Sequence, residues 1–183
     1  NSNIFYRSSG DLELDWISPH NDELCNNGTE DSPIKTLYDP CPEGWRIPTD
    51  IELHELIKYH TGMLTRDNQL CFCFSNDETY TEIFLPVAGT IYFDGKADGR
   101  GNTGRYWSSK PKGKHDAYRI ELSSTTTKGE IITDFANGVS ALRSLGCSVR
   151  CVQEIKNSIS PEPPLEEPTQ ENEDYVDEYG INH

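Results

Sequence analysis

Positive charge is scarce in this chain: 183 residues carry 16 Lys and Arg against 31 Asp and Glu, a formal net charge of −15. Such a field disfavours nucleic acid, because phosphate contacts need clustered cations. Hydrophobic residues are also few, at 34%. No apolar run is long enough for a transmembrane helix or a signal peptide, so no membrane insertion of this segment is expected. The chain starts at Asn1 rather than Met and reads as a mature or excised piece of an exported protein. Catalytic signatures are missing too. Neither Gly-x-Ser-x-Gly nor His-Glu-x-x-His occurs. Cys71 or Cys73 could be drawn together with His54, His60 or His115 as a nucleophilic pair, but no spacing supports it. The expectation is a protein that is not an enzyme and needs no cofactor.

The shortage of apolar residues is uneven. Residues 156–183 read KNSISPEPPLEEPTQENEDYVDEYGINH, rich in Pro and Glu. Such a segment cannot bury enough surface to offset its ordering entropy. It holds one cation, Lys156, against eight acids, a balance of −7 that leaves −8 on residues 1–155. The division is therefore a domain over 1–155 and an acidic flexible tail over 156–183. The tail is read as a solvated spacer, with Tyr175-Val176-Asp177-Glu178-Tyr179 as the alternative docking segment.

What is present begins with six cysteines, an even number suited to an oxidising compartment, though six allow fifteen pairings. Cys71 and Cys73 are one residue apart and Cys147 and Cys151 four apart in number, which is not zinc-ligand spacing. Pro48-Thr49-Asp50-Ile51-Glu52 is a capping box. Ile51, Leu53, Leu56 and Ile57 follow as an apolar stripe, and Gly62 is a suitable stop, so a helix is predicted over about 50–60. His54 and His60 would lie on its solvated face or at the core rim. Strands are predicted at 70–75, 83–87, 118–122, 130–134 and 148–153 from short alternating runs between turns. The fold class is α+β, one main helix packed on a small irregular antiparallel sheet with long loops.

The Gly-rich stretch Asp94–Gly104 places Asp94, Asp98 and Gly99 at positions 1, 5 and 6 of a calcium loop. Lys96 stands at position 3 and Arg105 at position 12, where a carboxylate is needed, so the match fails and no metal is expected. Glycine there suits a long exposed turn. Asp94, Asp98, Arg100, Asn102 and Arg105 are its candidate ligand contacts. Trp45, Tyr106 and Trp107 could form a stacking platform, but aromatics beside turn residues read as core anchors.

Five segments also occur in a familiar order. They are Lys35 to Thr49 with Cys41-Pro42-Glu43-Gly44-Trp45-Arg46 inside it, Leu85-Pro86-Val87-Ala88-Gly89, Gly104-Arg105-Tyr106-Trp107-Ser108-Ser109, Ala117-Tyr118-Arg119-Ile120-Glu121-Leu122, and Ser148-Val149-Arg150-Cys151-Val152. With Trp16 and Asn21–Leu24 as a leader, residues 12–152 resemble the major paralogous domain of Bacteroidetes and Fibrobacter surface proteins. The resemblance implies a C-type-lectin-like fold, a Cys41–Cys151 disulfide, and a Gly-x-Tyr-Trp-Ser-Ser turn. Cys25, Cys71, Cys73 and Cys147 depart from the family pattern and leave a Cys25–Cys147 or Cys71–Cys147 bridge open. The resemblance further implies ligand contacts from long loops before the last strands. These are 91–105, 109–117 with Lys112 and His115, and 135–146 with Arg143. Such domains often end fimbrillin-like or lipoprotein chains outside the cell. The function expected is therefore extracellular, cell-surface ligand binding or adhesion toward a host or microbial surface protein or glycan. The alternative is a structural subunit contacting other fimbrial or envelope proteins. A cysteine-dependent enzyme, by kinship with formylglycine-generating enzymes, is the remote third reading.

Overall fold

The computed structural model describes residues 15–17, 19–124, 130–132 and 139–155. The acidic tail and the 135–138 part of the third loop lie outside the described residues. Among these residues the chain is α+β, with one helix and several small antiparallel sheets. In chain order a two-residue strand β1 (Trp45–Arg46) precedes helix α1 (Asp50–Ile57). Strands β2 (His60–Arg66), β3 (Gln69–Asn76) and β4 (Thr81–Pro86) follow as one antiparallel sheet in that order. A lobe of β5 (Thr90–Ile91) and β6 (Ala97–Asp98) comes next. Strands β7 (Thr103–Lys112) and β8 (Asp116–Ser123) then form a long hairpin. The free side of β8 takes β9 (Glu130–Ile132) toward one end and β10 (Val139–Leu142) toward the other, and β11 (Val152–Gln153) returns to pair with β1.

The helix starts where the capping box places it. The Thr49 hydroxyl accepts from the Glu52 N–H at 3.2 Å, and the Glu52 carboxylate accepts from the Thr49 N–H at 2.8 Å. Glu30, twenty residues earlier, also accepts from the Asp50 N–H at 2.9 Å. With the Ile51 N–H also on Glu30 at 3.3 Å, four of the helix's otherwise unpaired donors are satisfied. Thr49 is fully buried, so Thr49→Ala is expected to cost about 1–2 kcal/mol by denaturant unfolding.

The helix ends at Ile57, shorter than predicted. The Lys58 and Tyr59 N–H groups close back on Glu55 and Leu56, and His60 enters β2 instead. Tertiary packing decides this. The His60 ring lies 5.2 Å from that of Phe72 and 5.6 Å from that of Phe74, where burial lowers its pKa. Residues 60–66 alternate poorly, which hid β2 from a pattern search. The β2–β3 turn is Asp67-Asn68, both with positive φ of +50° and +60°, the left-handed pair that a two-residue hairpin requires.

Strands predicted at 70–75, 83–87 and 118–122 correspond to β3, β4 and β8. The 130–134 strand is seen at β9, with 133 and 134 outside the described residues. Two expectations need correction. Of 148–153 only Val152–Gln153 is a strand. Ser148 instead bridges β7, donating its N–H to the Arg105 carbonyl at 2.8 Å and accepting from the Trp107 N–H at 3.0 Å. The turn expected at 104–109 lies inside β7, a ten-residue strand. Its aromatics alternate: Tyr106 joins the central core, while Trp107 meets Trp16 edge-on at 5.7 Å.

That core consists of Leu53, Phe72, Phe74, Leu85, Val87, Tyr106, Ile120 and Leu122. It joins α1, the three-stranded sheet and one face of the β7–β8 hairpin. Full burial of each such side chain contributes about 1.5–3 kcal/mol. The one polar atom among them, the Tyr106 hydroxyl, donates to the Pro86 carbonyl at 2.6 Å. Cys41 and Cys151 form a disulfide across 110 positions, beside the β1–β11 pair. Cys25, Cys71, Cys73 and Cys147 are free thiols, so neither extra bridge forms. Among the described residues no helix is long and apolar enough to cross a membrane.

Candidate ligand cavity and the predicted site residues

Strand β7 separates the predicted contacts into two groups. Its ten residues span roughly 30 Å at the usual rise of a strand. Asp94, Asp98, Arg100 and Asn102 belong to the lobe before Thr103, and all four are exposed. Lys112, His115 and Arg143 lie at the far end, around the β7–β8 turn. The three loops therefore do not converge on one site.

The far group is a structural knot. Arg143 is completely buried. Its Nε donates to the Asp116 carbonyl at 3.0 Å, and its Nη2 donates to the Gly113 carbonyl at 3.1 Å and to the Asp22 carboxylate. Asp15 lies 3.6 Å away, and the guanidinium sits 5.5 Å above the Trp16 ring. The His115 carbonyl accepts from the Arg143 N–H at 2.8 Å. Lys110 and Lys112 place their ammonium groups 5.0 and 5.2 Å from the Tyr118 ring. Together these contacts fasten the hairpin tip to the leader at 15–22.

Arg105 also turns inward. Its Nε donates to Glu121 at 3.0 Å and its Nη1 to the Thr90 hydroxyl at 2.8 Å. Arg119 donates to the same Glu121 at 2.5 Å. Two guanidinium groups thus share one carboxylate, leaving a surplus positive charge in a half-buried cluster.

Arg100 differs. It lines a cavity of about 590 Å³ walled by residues 68–70, 86–91, 97–101 and 146–148. Its guanidinium has no ion pair or hydrogen bond among the described residues. The wall can close because Gly89, at φ +81°, passes against the backbone of Asp98 and Arg100; a Cβ there would meet the Asp98 carbonyl at 2.4 Å. Paired backbone groups hold the rest. Gly89 N–H donates to Thr103, Gly101 N–H to Val87, and Ile91 and Gly146 exchange a reciprocal pair.

Sequence reading missed most of this wall. Leu85–Gly89 reads as scaffold, and only the Asp67-Asn68 hairpin signal could have brought Asn68 and Gln69 alongside it. Cys147 lines the cavity as a thiol whose pKa burial pushes up to about 11, so it stays neutral. Burial likewise raises the pKa of Cys71 and Cys73. These are the opposite of activated nucleophiles.

A second hollow, apolar, lies between α1, β3, β4 and β11, with Trp45, Tyr59 and Phe74 along it. Trp45 is 42% exposed, so it is not the core anchor expected of it; Tyr106 and Trp107 are buried as read.

No family model, curated protein or solved structure matches this chain.

Its ion pairs have a pH signature. A hydrogen bond from Arg143 holds the Asp22 carboxyl below its usual range. Burial works to raise Glu52 and Glu121, but hydrogen bonds from Arg46 in the first case, and from Arg105 and Arg119 in the second, keep both low. Depressed carboxylate values stabilise the fold fully above the unfolded values near 4, and that contribution is lost as pH falls through the folded ones. Urea midpoints measured from pH 7 to 2.5 should be level at first and then decline below about pH 4.

Proposed function

We propose that this chain is a non-enzymatic, extracellular, cell-surface domain of the C-type-lectin-like kind that binds a host or microbial surface molecule. The observation that carries the proposal is the cavity beside β5 and β6, built by four separated segments and holding one unengaged guanidinium. Its volume falls within the range of ordinary ligand sites. The neutral thiols favour binding over nucleophilic chemistry, and the ordered resemblance to the major paralogous domain points to surface display. Arg105, Arg143 and Lys112 support the frame in this reading, while Arg100 contacts the ligand.

The test is a screen on glycan arrays and host extracellular proteins, repeated with Arg100→Ala and with Ala88→Trp, which fills the cavity from an exposed wall position. Binding is expected to fall at least tenfold in both variants with an unchanged melting temperature. If every detected interaction survived both changes, the cavity would be abandoned as the site.

A second reading, an assembly subunit, is favoured by β2. Its outer side has no strand partner among the described residues, and Thr61, Leu64, Thr65 and Arg66 are exposed along it. An open edge is a template for strand addition. Sedimentation at rising concentration tests it: association abolished by Leu64→Pro would favour assembly.

A further inference from the structure

We infer that the ligand of this cavity is an anionic saccharide, held through a carboxylate or sulfate by Arg100; this rests on the cavity being the binding site. The chain has 31 acidic residues, yet among the described residues none lines the cavity, and Arg100 is the sole charged residue that does. The neighbouring acids are otherwise placed. Asp94 pairs with Lys96 at 2.7 Å, while Asp67 and Asp98 are exposed outside the wall.

Arg46, Arg105, Arg119 and Arg143 are each committed to a carboxylate, and Arg66 covers the Phe84 ring. An arginine left unengaged in so acidic a protein, on a wall cleared of acids, is matched to an anion from outside. A second source of positive potential lies behind the wall. Thr90 lines the cavity and accepts from Arg105, whose cluster with Arg119 and Glu121 keeps its surplus cation. Cys147, also on the wall, adds no negative charge because it remains a thiol. Arg100 on the wall and the Arg105 cluster behind it thus give the cavity a local positive balance, unlike the chain as a whole, and fields are focused where walls exclude water.

The wall also selects the kind of anion carrier. A peptide recognised by strand addition needs unpaired backbone groups. Here Val87, Gly89, Ile91, Gly101, Gly146 and Ser148 spend their N–H groups on Leu70, Thr103, Gly146, Val87, Ile91 and Arg105. Recognition falls instead to side chains. The amides of Asn68 and Gln69 offer both donors and acceptors, and Pro86, Val87 and Ile91 offer apolar surface. That combination suits a ring bearing hydroxyls on its edge and C–H groups on its faces.

The experiment is calorimetric titration of the full chain with three probes of equal length: an oligogalacturonate, its neutral methyl ester, and a sulfated oligosaccharide. Each is repeated with Arg100→Ala, Ala88→Asp and Ala88→Trp. At least one acidic probe should bind ten or more times tighter than the neutral one, and the acidic arms identify which anion is preferred. Arg100→Ala and Ala88→Asp should each erase that preference. Equal binding of neutral and acidic probes, blocked by Ala88→Trp but indifferent to Arg100→Ala, would overturn the anionic assignment and leave the cavity as the site. Failure of every acidic probe to bind would also overturn it. Acidic binding that survives Ala88→Trp would sink both this inference and the reading on which it rests. Preference for an acidic peptide such as oligoglutamate over both acidic sugars would reject the saccharide.

Discussion

Arg143→Ala should be the most damaging single substitution in the domain, lowering unfolding free energy by about 3–5 kcal/mol. The guanidinium has no exposed surface. Its removal would strand the carbonyls of Gly113 and Asp116 and take the cation from beside the Asp15 carboxylate, whose side chain is 8% exposed and which would keep only His20 and the Trp16 N–H. Buried partners left unsatisfied cost more than the contact itself contributes, so most of the loss comes from the two orphaned carbonyls and the weakened Asp15 site. Combining Arg143→Ala with Asp15→Asn should therefore cost clearly less than the two single losses together. Guanidinium unfolding of the four proteins measures this, and strict additivity would refute the coupling. Lost tryptophan fluorescence change on unfolding should accompany it, since Trp16 and Trp107 meet beside this cation.

Loss of the disulfide ranks second. Cys41→Ser with Cys151→Ser removes a crosslink that closes a 110-position loop. The chain-entropy model puts that constraint at about 4–5 kcal/mol, and measured losses of native disulfides run to about 2–5. For a domain of this size the melting temperature should fall by roughly 10 °C. The two-residue β1–β11 pair is too short to hold the chain end alone. Calorimetry of the double variant against the parent decides the matter. A fall under about 1 kcal/mol would mean that the reduced chain already keeps its ends together. Mass measurement before and after reduction should show a single bridge, with the other four cysteines alkylated in the oxidised protein.

The legible parts of the fold were those encoded locally. Thr49 and Glu52 announced the helix start because a capping box is complete within four residues. Tyr118–Leu122 announced β8 because its two faces differ in polarity. The helix end was not legible, since His60 leaves α1 to stack on Phe72 and Phe74, residues more than ten positions on. Strand β7 was obscured by Gly104 and Pro111, although its length positions both predicted loop groups.

The candidate site shows the same limit more sharply. An arginine in a polar stretch looks identical whether it faces solvent or a buried acid. Arg105 and Arg143 differ from Arg100 in having carboxylate partners, 16 and 121 or more positions away. Sequence pattern records a cation, not its neutralisation. It could nominate the Gly-rich lobe, and it could not say which of its charges was uncommitted.

The clasp at Cys41 and Cys151 also fixes how the molecule answers to tension. A pull on the segment before Cys41 and on the chain beyond Cys151 would travel through the sulfur link. Residues 42–150 would lie off the load path, and with them all four walls of the cavity. A domain that must grip while its anchorage is dragged by flow would keep its grip undeformed by that drag for as long as the bond stays oxidised.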